Sequence, residues 1–461
     1  MHAATPPAWP RSRSRRDRRR LCERGSNVTE HAWPTGRLRS RRSGFPLRVV
    51  VEACAAALIA SGLGAVVATN RWLAVGAVAA LGALWLLVRP NLAAVALGAS
   101  IPALENIAGA HLGVNVSLGD LLLLLLATSV VGSAVVSRSA LVFRVLQPVS
   151  FPVLQYCAFV FVLLAAHLDR NSGIQTVQRL ELLAFPLVVG SYLALKGAHV
   201  RLLQAYVVAA TALAVLWPFD HLQLQKNPAG QLLANAILLL IGVPALTRLR
   251  ICAPLLVYGL FATASRGAIV AGALGTAVIF LAQGVRAPRQ TIIRVAVVGA
   301  LVIAIFQFMP ANVRTRITSF SSVGSTSAAY TVRVRETYAS DALRIVRAYP
   351  WFGVGVGSYL TGVQEFHLTS STDPHDVVLL QAAEGGWAFA GSFVVLVLGG
   401  VLALIRLRRV DLAPAALGVL IATVAHGLVD VYWVRGTPVL SWLLVGMVCA
   451  GVYRARVGPA P

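Results

Sequence analysis

Four ionisable residues stand at the start of a long apolar segment in the stretch TDPHDVVLLQAAEGG, residues 372–386. They are Asp373, His375, Asp376 and Glu384. An ionisable group at membrane depth is costly, so it is usually either paired within the structure or part of a working site. Histidine titrates near neutral pH, and a carboxylate can orient its ring. The pattern indicates either an acid–base site centred on His375 or a hydrogen-bonded helix start.

Two further stretches place polar groups between apolar segments or within one. Arg266 lies in TASRGA, where it could anchor a helix at the membrane edge by extending its charge into water. It could equally hold a phosphate through two parallel hydrogen bonds, and the stretch by itself favours the anchor. In AHGLVDVYWVRG, His426 and Asp430 are four residues apart, which puts both on one face of a helix.

Glycine and proline mark two loops. Gly353, Gly355 and Gly357 alternate with other residues in RAYPWFGVGVGSYL, a spacing that permits sharp turns or close approach of the backbone to a ligand. A plain tight loop is the alternative, and a P-loop is excluded because no Lys-Ser/Thr pair follows. Asn227 lies in LQLQKNPAGQ, a polar turn with proline near a helix start.

The composition predicts a membrane protein. Hydrophobic residues make up 57% of the 461 residues and charged residues only 12%, and the mean hydropathy is +0.75. Apolar runs long enough to cross a hydrocarbon core recur along the chain, and the alternation typical of membrane β-barrels is absent. The predicted fold is an all-α, polytopic transmembrane bundle. No HExxH helix or metal-type cysteine spacing is present, so the sequence predicts neither a metal nor a cofactor.

The net charge of +23 does not indicate a nucleic-acid partner. Thirteen of the 40 Lys and Arg residues precede Val49, in runs such as RSRSRRDRRR. A basic tail before the first apolar segment is typical of a cytoplasmic terminus. We therefore predict that residues 1–46 form a disordered cytoplasmic tail.

The apolar segments divide the rest of the chain into three regions. These are a transmembrane bundle over 47–309, a loop over 310–376 and C-terminal transmembrane helices over 377–461. The predicted segments are 47–68, 71–88, 91–110, 118–137, 149–167, 177–196, 199–219, 229–248, 251–264, 267–284, 291–309, 386–405, 413–433 and 437–453.

The distribution of basic residues predicts the orientation. With a cytoplasmic N-terminus, the short connections on the cytoplasmic side carry most of the arginines, as the positive-inside rule requires. The C-terminus is then cytoplasmic too, and Pro310–Asp376 faces the outside. Within this loop, SFSSVGSTSAAYT is expected to be mobile, and VRETYASDALRIVRAYP is expected to form a short amphipathic helix that stops at Pro350.

In chain order, KNPAGQ, TASRGA, the arginine-rich helix before YPWFGVGVGSY, PHDVVLLQAAEGG and HGLVD resemble the O-antigen ligase and O-antigen polymerase superfamily. The members of this superfamily are bacterial membrane glycosyltransferases. The resemblance implies that this protein is a metal-independent enzyme of the cytoplasmic membrane. The resemblance implies about a dozen spans, giving 12–14 here. It also implies a glycan donor on a polyprenyl (undecaprenyl) diphosphate and an acceptor hydroxyl on a glycan, lipid or protein. Membrane lipid is the remaining partner, and no nucleic acid is expected.

The resemblance also assigns roles to residues. His375 would accept the acceptor's proton, with Asp376 or Glu384 orienting its ring. Arg266 and Arg335 would bind the donor diphosphate, with Arg333 as a neighbour. The supporting positions are Asn227, Gly353, Gly355, Gly357, His426 and Asp430. The family commonly has His-Asn where this chain has His375-Asp376, and Asn-Pro-Asn where it has Asn-Pro-Ala, so the acceptor stays undetermined.

Two alternatives remain open. A peptidoglycan-type polymerase of the same architecture would rely on an acidic residue, Asp373 or Glu384. A polytopic transporter or flippase would place charges at mid-membrane and show related halves, whereas here the ionisable residues gather at segment ends and no repeat is evident.

Overall fold

The computed structural model describes residues 89–102, 117–136, 141–167, 170–217, 225–284, 288–318, 328–369, 373–430 and 437–457. Every regular element in these ranges is helical. The predicted tail over 1–46 and the segments over 47–68 and 71–88 lie outside the described residues, as does the serine-rich stretch over 319–327.

The described residues form sixteen α-helices. They are α1 (Pro90–Ser100), α2 (Leu118–Val136), α3 (Leu141–Val145), α4 (Ser150–Ala166), α5 (Arg170–Leu195), α6 (His199–Leu216), α7 (Lys226–Gly242), α8 (Ala253–Ala262), α9 (Arg266–Gly284), α10 (Pro288–Phe308), α11 (Ala311–Thr318), α12 (Ala328–Ala348), α13 (Tyr359–Glu365), α14 (Val377–Arg406), α15 (Ala413–Gly427) and α16 (Val439–Val457). Short 3₁₀ turns at Gln147–Val149 and Pro244–Cys252 lead into α4 and α8.

The fold is an all-α polytopic helical bundle, as the composition predicts. Within the described residues, seven helical stretches are long and apolar enough to cross a membrane. They are Leu118–Val135, Gln147–Ala166, Gly173–Leu195, His199–Leu216, Pro244–Ala262, Arg266–Gly284 and Val377–Arg406. Shorter apolar helices lie at Ile292–Phe308, Ala413–Gly427 and Val439–Tyr453.

Small residues let the central helices approach closely. A Cβ on Gly190 of α5 would lie 2.1 Å from the carbonyl oxygen of Leu443 in α16, and one on Gly446 would lie 2.2 Å from that of Leu187. Membrane helices associate through such van der Waals contact, because lipid gives little hydrophobic drive for helix pairing. The α5–α16 pair consequently has its backbones in direct contact at the centre of the bundle.

In its described residues, the segment between α10 and α14 contains more helix than the sequence predicts. The amphipathic helix is present as α12 and ends before Pro350, but it has 21 residues and begins at Ala328 rather than near Val334. Its apolar face, with Ala342, Ile345 and Val346, packs on α13 and on the first turns of α14. The two helices α12 and α13, with the loop between them, form a cap on one end of the bundle.

Helix α14 starts earlier than predicted and contains a kink. We expected an apolar segment from 386, but α14 begins at Val377 and is interrupted at Gly386, whose φ of 78° and ψ of 177° are not helical. The kink leaves three backbone groups without the usual helical partner, and the cap loop provides replacements. Val354 N–H donates to Ala383 O (3.0 Å), Gly355 N–H to Glu384 O (2.9 Å), and Trp387 N–H to Pro350 O (3.0 Å).

Candidate active site

A set of polar side chains meets at the capped end of the bundle, where the first turns of α7, α9 and α14 and the end of α15 come together with α12. Asp430, just after α15, lies at its centre. Its Oδ1 accepts a hydrogen bond from Asn227 Nδ2 (2.7 Å), and its Oδ2 accepts one from Arg335 Nη2 (2.6 Å). The Asp430 side chain is 4% exposed and that of Arg335 is 33% exposed. The arrangement holds one buried carboxylate between an amide and a guanidinium that reaches the surface.

The junction between α8 and α9 extends this network. Ser265 Oγ donates to Asn227 Oδ1 (3.0 Å) and accepts from the backbone N–H of Ala268 (3.4 Å). Ala264 has a φ of +51°, a conformation that a residue with a Cβ rarely adopts. Backbone strain of this kind is often found at functional sites. The turn orients Ser265 toward α7 and places Arg266, which is half-buried, at the first position of α9.

His375 lies on the same side of α12 as this network. Its ring packs edge-on against Tyr338, with 5.3 Å between ring centroids. Tyr338 and Arg335 are three residues apart and therefore share one face of α12. One face of α12 thus contacts both His375 and Asp430.

Asp373 fixes the position of His375. The backbone N–H of His375 donates to Asp373 Oδ1 (2.6 Å), and His375 Nδ1 lies 3.3 Å from the carbonyl oxygen of Asp373. His375 has a φ of +61°, which histidine tolerates better than most residues. If Nδ1 carries the proton toward that carbonyl, Nε2 becomes the basic nitrogen.

Burial shifts the pKa values of His375, Asp373 and Asp376. Burial lowers the pKa of His375, a shift that the charge of Asp430 opposes and that of Arg335 reinforces. Burial raises the pKa of Asp373 to about 7, although the hydrogen bond from His375 N–H opposes the rise. Burial also raises the pKa of Asp376, against the hydrogen bonds from Leu379 and Val378. At neutral pH, His375 is therefore the uncharged form that can accept a proton.

Asp376 serves as the N-cap of α14. Its Oδ1 accepts from the backbone N–H groups of Val378 (2.8 Å) and Leu379 (3.0 Å). This is the ordinary stabilising role of an aspartate at a helix start. Asp376 is therefore the residue that caps the N-terminus of α14, and His375 is not needed for this role. We predicted that Asp376 or Glu384 would orient the ring of His375; the contacts in the structure place Asp373 at the ring instead.

Glu384 is 3% exposed and forms an ion pair with Arg179 of α5. The N–H groups of Gly357 and Tyr359 also donate to its carboxylate. Glu384 thus joins α5, α14 and the cap loop. The motifs did not single out Arg179, although an arginine within an apolar segment is itself a signal of a paired or functional group.

The remaining predicted residues lie at three places. Gly353, Gly355 and Gly357 all have positive φ, at 61°, 100° and 76°, and line the loop that docks on α14. His426 is buried in α15 against Gly267, where an added Cβ would lie 2.9 Å from the imidazole. Arg333 is exposed and, two residues from Arg335, points to a different side of α12. The structure therefore brings together most of the predicted residues and leaves Arg333 outside the cluster.

The fold and the site define a polytopic membrane protein that has a polar cluster beneath the cap at one end of its helical bundle. Residues 251–394 match the family model described as O-Antigen ligase. This match confirms the resemblance predicted from the sequence motifs and supports an O-antigen ligase-like membrane enzyme. The matched segment contains Arg266, Arg335, His375 and Glu384, whereas Asn227 and Asp430 lie outside it. A search of curated proteins found no match to the chain.

Proposed function

We propose that this protein transfers a glycan from a polyprenyl-diphosphate carrier to an acceptor hydroxyl. The proposal rests on one observation about α12. The same face of this helix carries Arg335, a cation of the kind that binds phosphate, and contacts His375, an uncharged and half-buried imidazole. Such a pair provides the two groups that the reaction needs on the two sides of the anomeric carbon. The match to the O-antigen ligase family supports the same chemistry.

The arginines would serve the donor. As the anomeric C–O bond breaks, negative charge accumulates on the diphosphate, and a guanidinium can stabilise it by bidentate hydrogen bonds. Arg335 uses Nη2 for Asp430, while its buried Nε has no partner among the described residues. Arg335 is therefore oriented by Asp430 and keeps donors for a ligand. Arg266, on the neighbouring turn at the start of α9, would supply the second cation.

His375 would serve the acceptor. Its Nε2 would take the proton of the acceptor hydroxyl while that oxygen attacks the anomeric carbon. The glycan then forms a new C–O bond to the acceptor, and the polyprenyl diphosphate leaves with the electron pair of the broken bond. The lowered pKa of His375 favours this role, because the imidazole remains uncharged at neutral pH.

The orientation follows from charge. The positive-inside rule puts the end with Arg248, Arg250 and Arg289 in the cytoplasm. The capped end then faces the outside of a bacterial cytoplasmic membrane, where a carrier-linked glycan would be presented.

The direct test is transfer by the purified protein in lipid vesicles that contain a polyprenyl-diphosphate-linked glycan. Arg266→Lys and Arg335→Lys should each lose most activity, because lysine keeps the charge but not the planar pair of donors. Arg344→Lys, an exposed position on α12, is the matched control and should retain activity. Full activity in both site variants would refute a diphosphate role for these arginines.

The product distinguishes a ligase from a polymerase. In a strain lacking the gene, long glycan chains that accumulate on the lipid carrier would indicate a ligase. Accumulated single repeat units would indicate a polymerase, the alternative within the same class.

A further inference from the structure

A long apolar groove lies between α7, α8, α9 and α10. Its volume is about 1250 Å³, above the roughly 300–1,000 Å³ of a typical small-molecule pocket. α7 forms its floor with Ile237 and Ile241, and α10 covers it with Val298 and Val302. The size and lining suit hydrocarbon.

The two ends of the groove differ in charge. Near the capped end its lining includes Phe261 and Ile269, which are close in sequence to Ser265. At the opposite end it includes Arg250, after α7, and Arg294, in the second turn of α10. Among the described lining residues, these are the only cationic ones, so the groove has an apolar length and a basic end.

Both arginines are held in place by the protein. Arg250 Nε donates to the carbonyl oxygen of Leu240 (3.2 Å), and Arg294 Nη1 donates to Gln283 Oε1 (3.0 Å). Each guanidinium carries five N–H donors, so one bond orients it and leaves others for a ligand. Two oriented guanidinium groups at the opening of a groove match a phosphate.

The length of the groove suits one leaflet. Its lining on α9 runs from Ile269 to Gly284, about 22 Å at 1.5 Å per residue. One leaflet, including its headgroup region, is ~20–22 Å thick. A lipid with its phosphate at the arginines would therefore extend its chain along the groove to about the middle of the membrane.

We propose that this groove binds an anionic phospholipid, with its phosphate between Arg250 and Arg294 and an acyl chain between α9 and α10. The exposed Arg248 and Arg289 add positive charge at the same end. Basic pockets between helices on the cytoplasmic side of membrane proteins attract such headgroups. The donor carrier is a poorer fit, because its diphosphate is proposed to bind at the other end of the bundle.

The test measures lipid binding and does not depend on the transfer reaction. Purified protein in detergent is titrated with phosphatidylglycerol or with phosphatidylcholine of the same chains, and binding is followed by native mass spectrometry and thermal stability. The doubly substituted Arg250→Ala/Arg294→Ala protein is compared with Arg406→Ala/Arg409→Ala. The control removes the same charge from exposed positions at the same end of the bundle but outside the groove.

We expect phosphatidylglycerol to bind the wild type and the control alike, and to bind Arg250→Ala/Arg294→Ala about 30-fold more weakly. Phosphatidylcholine should bind all three weakly. Equal binding of phosphatidylglycerol by all variants would overturn the proposal. Equal binding of the two lipids by the wild type would overturn it as well.

A second pair of variants tests the chain-binding part. Ala273→Phe fills the groove without changing charge, whereas Val270→Phe adds bulk to an exposed position on α9 outside it. Only Ala273→Phe should weaken phosphatidylglycerol binding. Unchanged binding to Ala273→Phe, or displacement of the lipid by glycerol phosphate at equal concentration, would show a surface phosphate contact and refute the groove. Displacement by polyprenyl phosphate at equal concentration would assign the groove to the carrier instead.

Discussion

At the scale of single residues, His375 combines a strained backbone with an uncharged ring. The residue is positioned by Asp373 and Tyr338, while the adjacent Asp376 provides the helix cap. This separation of roles makes a substitution at His375 informative about chemistry.

We predict that His375→Asn lowers the rate of glycan transfer about 10²-fold or more, the scale of lost acid–base assistance. Asparagine tolerates a positive φ, so the fold should be retained. The measurement is transfer by the purified variant beside its thermal stability. A stable variant with full activity would exclude His375 as the base.

The raised pKa of Asp373 predicts a pH dependence of stability. The folded protein keeps this proton up to about pH 7, whereas the ordinary pKa is 3.8. Stability from this group is complete below about pH 4 and is lost as pH rises toward 7. Asp373→Asn should remove this loss and raise the melting temperature relative to wild type by a few degrees at about pH 8.

The lowered pKa of His375 predicts the opposite pH dependence of stability. Since burial lowers its pKa below the ordinary 6.5, its contribution is complete above that pH and is lost as pH falls through the lowered value. His375→Asn should therefore flatten the acid side of the stability profile and leave the change due to Asp373. For Asp373, parallel profiles of stability against pH for wild type and Asp373→Asn between about pH 4 and 8 would contradict its raised pKa.

At the scale of elements, the ion pair of Arg179 and Glu384 connects α5 to α14. Removing one partner of a buried pair leaves an uncompensated charge, at a cost of about 3–5 kcal/mol. We predict that Arg179→Met is strongly destabilised and that Arg179→Met/Glu384→Gln recovers most of the loss. The glutamine keeps an acceptor for the N–H groups of Gly357 and Tyr359. Thermal unfolding of both variants measures the coupling.

The same pair of variants separates structure from catalysis. If Glu384 only positions the cap, the double variant should transfer glycan at a rate close to wild type. A stable double variant without activity would instead make Glu384 a catalytic group, as the family resemblance implies.

The kink in α14 gives a second prediction at this scale. A Cβ on Gly386 would lie 2.4 Å from Trp351 O, and its φ and ψ are almost restricted to glycine. Gly386→Ala should therefore be destabilised by several degrees and lose activity. Gly391→Ala, on the same helix with no atom within 4 Å of the added Cβ, should match the wild type. Similar melting temperatures for both variants would refute the role of the kink.

At the scale of the whole molecule, the alternation of helices puts the polar cluster at one end and the basic turns at the other. We predict that the cap is external and that both termini are cytoplasmic. With the native cysteines replaced, an impermeant maleimide should label Gln364→Cys in intact cells and Arg409→Cys only after permeabilisation. Both positions are exposed. The reverse pattern would invert the topology.

Hydropathy was sufficient to predict the bundle, because each span is a continuous apolar run whose helical backbone satisfies its own hydrogen bonds. The motifs singled out His375, Arg335 and Asp430, and the structure brings them to one end of the bundle; that they act in one reaction stays a prediction. The Arg179–Glu384 pair was not predicted, because its partners are 205 residues apart and only packing brings them together. The sequence put the start of an apolar segment at 386, but it did not predict that one helix runs from Val377 to Arg406 with a kink at this position.

The docking of the cap loop on the kinked helix has a consequence for substrate access. Withdrawal of residues 350–355 would strand the carbonyl groups of Ala383 and Glu384 and the N–H of Trp387 beside an apolar span. Each such group is costly to leave unpaired away from water. Lifting the cap is accordingly costly, and we expect it to stay docked on α14. If the proposed transfer takes place beneath the cap, its reactants would have to enter and leave sideways between the helix ends, and the rate of exchange would depend on lateral diffusion in the bilayer.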